Sequence, residues 1–416
     1  MSPPVDPSFE WDVPPELRLT ILDCTGDLAY ACSLIYASPK ALQVFSNRGS
    51  EVIGSIVDPG ERSELNDMIR MMIGVRLSQI GGQSVGQFHQ RYVRAMRQTN
   101  NGQTQTQAQN TEPFYPPLPN LPSSTNHKIL FTAYQVWWHT QACLKHYMDR
   151  LMSLQPSHTA NPMFQYTTNR PWHERPAGHH FPAYHAGPPS YEEEYLIART
   201  FWRLQVEHEL KNAAVRGHLN WPAADIELLF SNPRVWLWGD DEDDFEPNEA
   251  MDTVLEYLSA TEAHWSNHLH LAHDYNRSGP TRESRLPRPM YALPIQWPAA
   301  SQPPTISQTN QPQPAIRFWD ILRTDQRSPL PFVPFDPFRR LGFAIWDLER
   351  LRGLGLLTPD ESHWADPSVS HGLFFAWRSI LTTGQLAPVD IAADQRRDAQ
   401  EGLGGVLGVY RQQVIP

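Results

Sequence analysis

Proline decides where this chain cannot be regular. A proline ring fixes φ, removes a backbone donor and clashes with the preceding turn, so dense proline rules out both helix interiors and central strands. The 416 residues contain 39 prolines, and three stretches combine them with few periodic large apolar groups. Thr99 to Thr125 runs through Gln, Asn and Thr into Pro. Pro156 to Pro189 mixes Pro with His and aromatics, and Arg277 to Pro314 is rich in Pro, Gln and Ser. The first reads as a flexible linker, the second as a long irregular excursion, and the third as a disordered segment. Regular structure must lie between them.

The remaining sequence has enough material for a core, since 40% of the chain is hydrophobic and 14 residues are Trp. Its apolar residues recur at helical rather than strand spacing. Pro15 to Val57 predicts three short helices. Pro15 suits the first position of helix one, Asp27 is an N-cap for helix two, and Ser38-Pro39 pairs a capping hydroxyl with a first-turn proline for helix three. Leu28, Cys32 and Ile35 share one face of the second helix, and Leu42 and Phe45 are expected to face inward on the third. Asn47-Arg48-Gly49 is a point of break or bend. Further helices are expected over about Glu61 to Leu77, Phe88 to Met96, Ile129 to Leu154, Glu192 to Val215 and Asn248 to His273. The Ile129 helix should place Leu130, Tyr134, Trp137, Leu144, Met148 and Leu151 near one face. Val235 to Trp238 reads as a short extended segment. The C-terminal block returns to apolar periodicity with Trp319, Phe343, Trp346, Leu351, Phe374 and Trp377.

The fold class is therefore mainly α: an irregular multi-helical body with an N-terminal three-helix unit and long disordered or Pro-rich loops. In order, the chain divides into the three-helix unit over 1–57, a helical extension over 58–98 and a Gln/Asn/Pro linker over 99–128. A central helical region follows over 129–276, with a Pro/His-rich loop at 155–190. A Pro/Gln-rich segment covers 277–316, and a C-terminal helical block over 317–416 packs on the central region.

Charge and cysteine content narrow the function. A balance of 34 Lys+Arg against 45 Asp+Glu gives −11, which argues against a general nucleic-acid binder, because an acidic surface repels phosphates. Cys24, Cys32 and Cys143 form an odd set without a C-x-x-C pair, which fits a reducing compartment. The first residues show neither the basic nor the apolar part of a signal peptide, and no uninterrupted apolar run approaches ~18 residues. The expectation is a cytoplasmic or nuclear location, with neither a membrane nor a nucleic acid as partner.

Several patterns imitate catalytic or metal sites. Gly82-Gln83-Ser84-Val85-Gly86 matches G-x-S-x-G, but that motif needs a buried strand before it and a sheet around it, whereas the sequence upstream is helical. His264 and His268 stand four apart, as metal ligands on one helix turn do, yet Trp265, Ser266 and Asn267 between them supply no general base. His173, His179, His180 and His185 form a looser group. Asp240 to Asp244 lacks the Gly and the closing Glu of a calcium loop and reads as a solvated acidic loop. Gly402 to Gly408 misses the dinucleotide spacing. No catalytic residue, no metal ligand and no cofactor is assigned, and the chain is not expected to be an enzyme.

Three segments point elsewhere. Pro14-Pro15-Glu16-Leu17-Arg18-Leu19-Thr20-Ile21-Leu22, followed by Leu34-Ile35-Tyr36-Ala37-Ser38-Pro39 and then Phe45 and Arg48, resembles the F-box-like domain proteins of filamentous ascomycete fungi. Glu194 to Gln205, with its Arg199-Thr200-Phe201-Trp202-Arg203 run, is similar to the central helix of that family. Gly342-Phe343-Ala344-Ile345-Trp346-Asp347, with Arg350, Leu351 and Gly355, is similar to its C-terminal Trp-Asp element. The resemblance implies an F-box-like three-helix unit and a non-catalytic adaptor, a substrate receptor whose helices dock on the linker subunit of a cullin-RING ubiquitin ligase. The residues matching the docking motif are Pro15, Leu17, Ile21, Leu22, Leu28, Leu34, Ile35 and Pro39. The connector Cys24-Thr25-Gly26 is shorter than the family's.

Size gives an independent reason to expect docking. Three helices in about forty residues cannot bury enough surface to fold alone, so their outer apolar faces need a cover. Either a partner protein supplies it or later helices of the same chain do. In the second case the chain is an interaction or scaffold protein whose F-box-like start is purely structural. A hydrolase or metal-dependent enzyme using Ser84 or the His264/His268 pair is the minor alternative.

Overall fold

A computed structural model describes residues 14–58, 63–79, 84–94, 120–158, 178–180, 187–231, 237–238, 245–265, 315–324, 328, 330–357, 367–392 and 395–396. The protein is mainly helical. It forms two compact units, each discontinuous in sequence: the first takes residues 1–141, 198–244 and 259–292, the second 142–197, 245–258 and 293–416. No described helix is long and apolar enough to cross a membrane.

The N-terminal trio forms where its caps place it. Helix α1 spans Pro15–Asp23, α2 spans Leu28–Ala37 and α3 spans Pro39–Val57. Asp27 accepts hydrogen bonds from the backbone N–H of Ala29 and Tyr30, and Ser38 accepts one from Ala41 with Pro39 filling the first turn, so both starts satisfy groups that a bare helix end leaves orphaned. Within α3, Arg48 leaves the helical region (φ −130°, ψ 25°), which bends the helix at the Asn47-Arg48-Gly49 break. Both α1 and α2 pack on α3.

The first unit continues with α4 (Glu64–Arg76) and α5 (Val85–Phe88), which runs into a π-helical turn over His89–Arg94. The next helix, α6, spans Ser123–Met152. It begins before the 99–128 linker was expected to end, because its polar first turns are held by side-chain bonds. Asn126, only 3% exposed, donates to Ser50 Oγ at 3.1 Å, and Ser50 Oγ accepts from Leu121 N at 2.8 Å. The single apolar face expected for α6 is also too narrow. Leu130, Leu144, Met148 and Leu151 are buried, but so are Thr132, Gln135, His139 and Thr140, while Tyr134 and Trp137 are half-buried. A helix covered on several sides buries polar positions that an amphipathic surface helix would expose.

Helix α7 (Tyr191–Val215) and α8 (Ala223–Ser231) follow, and residues 237–238 are π-helical, where an extended segment was expected. Helix α9 spans Phe245–Trp265. The second unit adds α10 (Ala315–Thr324), α11 (Asp336–Arg339), α12 (Leu348–Gly353) and α13 (Pro367–Ser379), with a last helix over residues 383–392. Inside the 155–190 excursion a two-residue antiparallel pair forms between β1 (Ser157–His158) and β2 (His179–His180). All six aromatic and apolar anchors expected of the C-terminal block are buried: Trp319, Phe343, Trp346, Leu351, Phe374 and Trp377. The linker up to residue 119, the segment 277–314, the acidic loop up to Asp244 and Gly402 to Gly408 lie outside the described residues.

Candidate protein-docking surface

The three-helix unit holds α1 by local chemistry at the short connector. Gly26 takes a positive φ of 64°, a conformation other residues adopt only with strain, and Thr25 Oγ1 donates to the Leu22 carbonyl at 2.8 Å. Asp23 at the end of α1 accepts from Ser55 Oγ of α3 at 2.7 Å. These bonds fix the angle of α1 across α3 without a long linker.

The eight residues of the docking motif fall into three groups. Leu22, Leu28 and Ile35 are buried at 0%, 2% and 1% exposure and form the core of the trio. Ile21 and Leu34 are half-buried. Pro15, Leu17 and Pro39 are exposed, with Leu17 at 54%. The motif is thus divided between a sealed core and an outer face, and Leu17 and Ile21, one helical turn apart, carry the outer part of α1. Phe45 faces inward as expected, at 0%, but Leu42 is 38% exposed and belongs to the outer surface.

Later helices of the same unit cover only part of the trio. Phe45 meets the His127 ring of α6 edge-on at 5.1 Å. Gly49 lets α3 approach so closely that a Cβ there would lie 2.9 Å from Asn126 Nδ2. Tyr30 of α2 lies 6.4 Å, ring to ring, from Trp137. The cover supplied by α6 therefore reaches α3 and part of α2, where Tyr134 lies beside Cys32 as well as Trp137 beside Tyr30, while Leu17 keeps more than half its surface. Tyr30 and Tyr36 stand 57% and 62% exposed, and the reading of α2 as a one-faced helix through Leu28, Cys32 and Ile35 missed both. The available signal was composition: every residue of α2 except Ser33 is apolar, and a helix apolar all round must present apolar groups outward too.

The two other family-like segments build buried ion pairs. In the first unit Glu64, at the start of α4, receives Arg203 Nη2 at 3.0 Å and Arg199 Nη1 at 3.3 Å, and the Arg203 guanidinium lies 5.4 Å from the Trp238 ring centre. Burial pushes the Glu64 carboxyl up, but the two guanidiniums outweigh it and hold the group below its ordinary value. In the second unit Glu193 Oε1 accepts from Arg350 Nε at 2.8 Å and from Asp347 N at 3.1 Å, and its Oε2 accepts from Arg350 Nη2 at 2.7 Å and Ser190 N at 2.9 Å. Arg350 also donates to the carbonyls of Gly187 and Pro188 and lies 5.0 Å from the Trp346 ring centre. Here a single guanidinium faces the carboxylate, and complete burial keeps the Glu193 carboxyl above its usual range. Glu193, in the first turn of α7, is therefore an internal anchor.

Some of the patterns resembling active sites can be placed. Ser84 caps α5, accepting from Gln87 N at 3.1 Å, and the N–H of Val85 beside it goes to Asp225 at 3.0 Å. His179 and His180 are exposed on β2, His264 falls within α9, and His173, His185 and His268 lie outside the described residues. Among the described residues no group of three or more His, Cys, Asp or Glu is arranged to hold a metal ion. Burial pushes the Cys32 thiol up to about 12, which keeps it protonated and unreactive at neutral pH. Compared with known proteins, the chain matches no family model, no curated protein and no solved structure.

Proposed function

We propose that this chain is a non-catalytic protein-interaction adaptor of F-box-like type, a substrate receptor whose N-terminal helices dock on the linker subunit of a cullin-RING ubiquitin ligase. The observation that carries the reading is the division of the α1 apolar residues. Leu22 is sealed inside the trio while Leu17, five residues earlier, keeps 54% of its surface. A core needs only the first; an outward leucine beside half-buried Ile21 is what a docking helix presents. The test is co-purification of the full chain with the ligase linker subunit at micromolar concentration. Binding that weakens when Leu17 is replaced by Glu supports the adaptor, and no binding at that concentration refutes it.

A second reading, a scaffold in which the F-box-like start is purely structural, draws on the contacts of α3 with α6 through Phe45, Gly49 and Ser50. It expects Leu17→Glu to leave every interaction of the chain unchanged.

A further inference from the structure

We draw no further inference here: the strongest candidate, the Ser157 and His180 couple on the short strand pair of the second unit, offers the hydroxyl no base, because His180 Nδ1 faces both Ser157 Oγ at 2.9 Å and the Gln155 carbonyl oxygen at 3.0 Å and must carry its proton to serve the carbonyl.

Discussion

Replacing Leu17 and Leu22 separately by Ala should give opposite results, because the two leucines share one helix and differ in burial. Full burial of a leucine side chain is worth about 1.5 to 3 kcal/mol. Leu17 keeps 54% of its surface in the folded chain, so less than half of that value is present to lose. Leu17→Ala should therefore cost at most about 0.7 to 1.4 kcal/mol, with the better helix propensity of Ala offsetting part of it. Leu22 is 0% exposed, and its truncation leaves a cavity as well as losing transfer energy, for about 2 to 5 kcal/mol. Urea unfolding of the full chain measures both, since a stability change appears as a shifted midpoint at constant slope. In binding the order reverses for the variant that still folds. An anchor covered by a partner costs about 2 kcal/mol or more when truncated, roughly a 30-fold rise in Kd. A Leu17→Ala protein that unfolds as early as Leu22→Ala would show that the outer face is sealed in solution. One that folds normally and binds the linker subunit with unchanged affinity would show that the face is not the contact.

Other expectations rest on single interactions. Glu64→Gln leaves Arg199 and Arg203 facing a neutral group in a buried site and should cost about 3 to 5 kcal/mol in urea unfolding. The same carboxyl predicts an acid limb. Its folded pKa lies below its ordinary 4.5, so it contributes stability above that pH and loses it as pH falls through the lower folded value. In melting curves recorded from pH 6 to pH 3, the Gln variant should lack that share of the acid loss; an identical acid limb in both proteins would contradict the assignment. Gly342→Ala should lower the melting temperature sharply, because φ is +79° and the new Cβ would lie 2.7 Å from Trp346 Nε1 and 2.9 Å from Tyr147 Cβ. Arg350→Lys keeps the charge but cannot span both Glu193 oxygens and the Gly187 and Pro188 carbonyls, so it should cost about 2 kcal/mol or more by the same assay, whereas retained stability would mean that charge alone suffices.

What could be read from the sequence in this fold was local. The caps at Asp27 and Ser38 and the bend at Arg48 depend on residues within three or four positions of one another, and all three stand where the residue types put them. What escaped was decided by distance along the chain. Glu64 meets arginines 135 and 139 residues away, and Glu193 meets one 157 residues away, so no window reveals why either glutamate is buried. The early start of α6 has the same cause, since its polar first turn is secured by Ser50, 76 residues upstream of Asn126. A periodic apolar stripe reports burial on one side only, and α6 is covered on several.

That distinction bears on the proposed docking face. Resemblance grouped eight residues as one set, and burial divides them, because a motif records which residues occur together and not which of two tasks each performs. Leu22, Leu28 and Ile35 hold three short helices to each other, a task any folded trio needs. Leu17 at 54% and Leu42 at 38%, together with Tyr30 and Tyr36, are apolar surface beyond that need, gathered within 26 residues of sequence. Among described residues Tyr191 and Val215, at the two ends of α7, and Ile391 are comparably large and exposed elsewhere. Scattered apolar side chains are ordinary on any protein surface, and the four on the trio keep apolar area in water at a cost that burial against a partner would recover. The adaptor reading thus depends on the outer residues of the motif, and substitutions confined to them test binding without first destroying the fold.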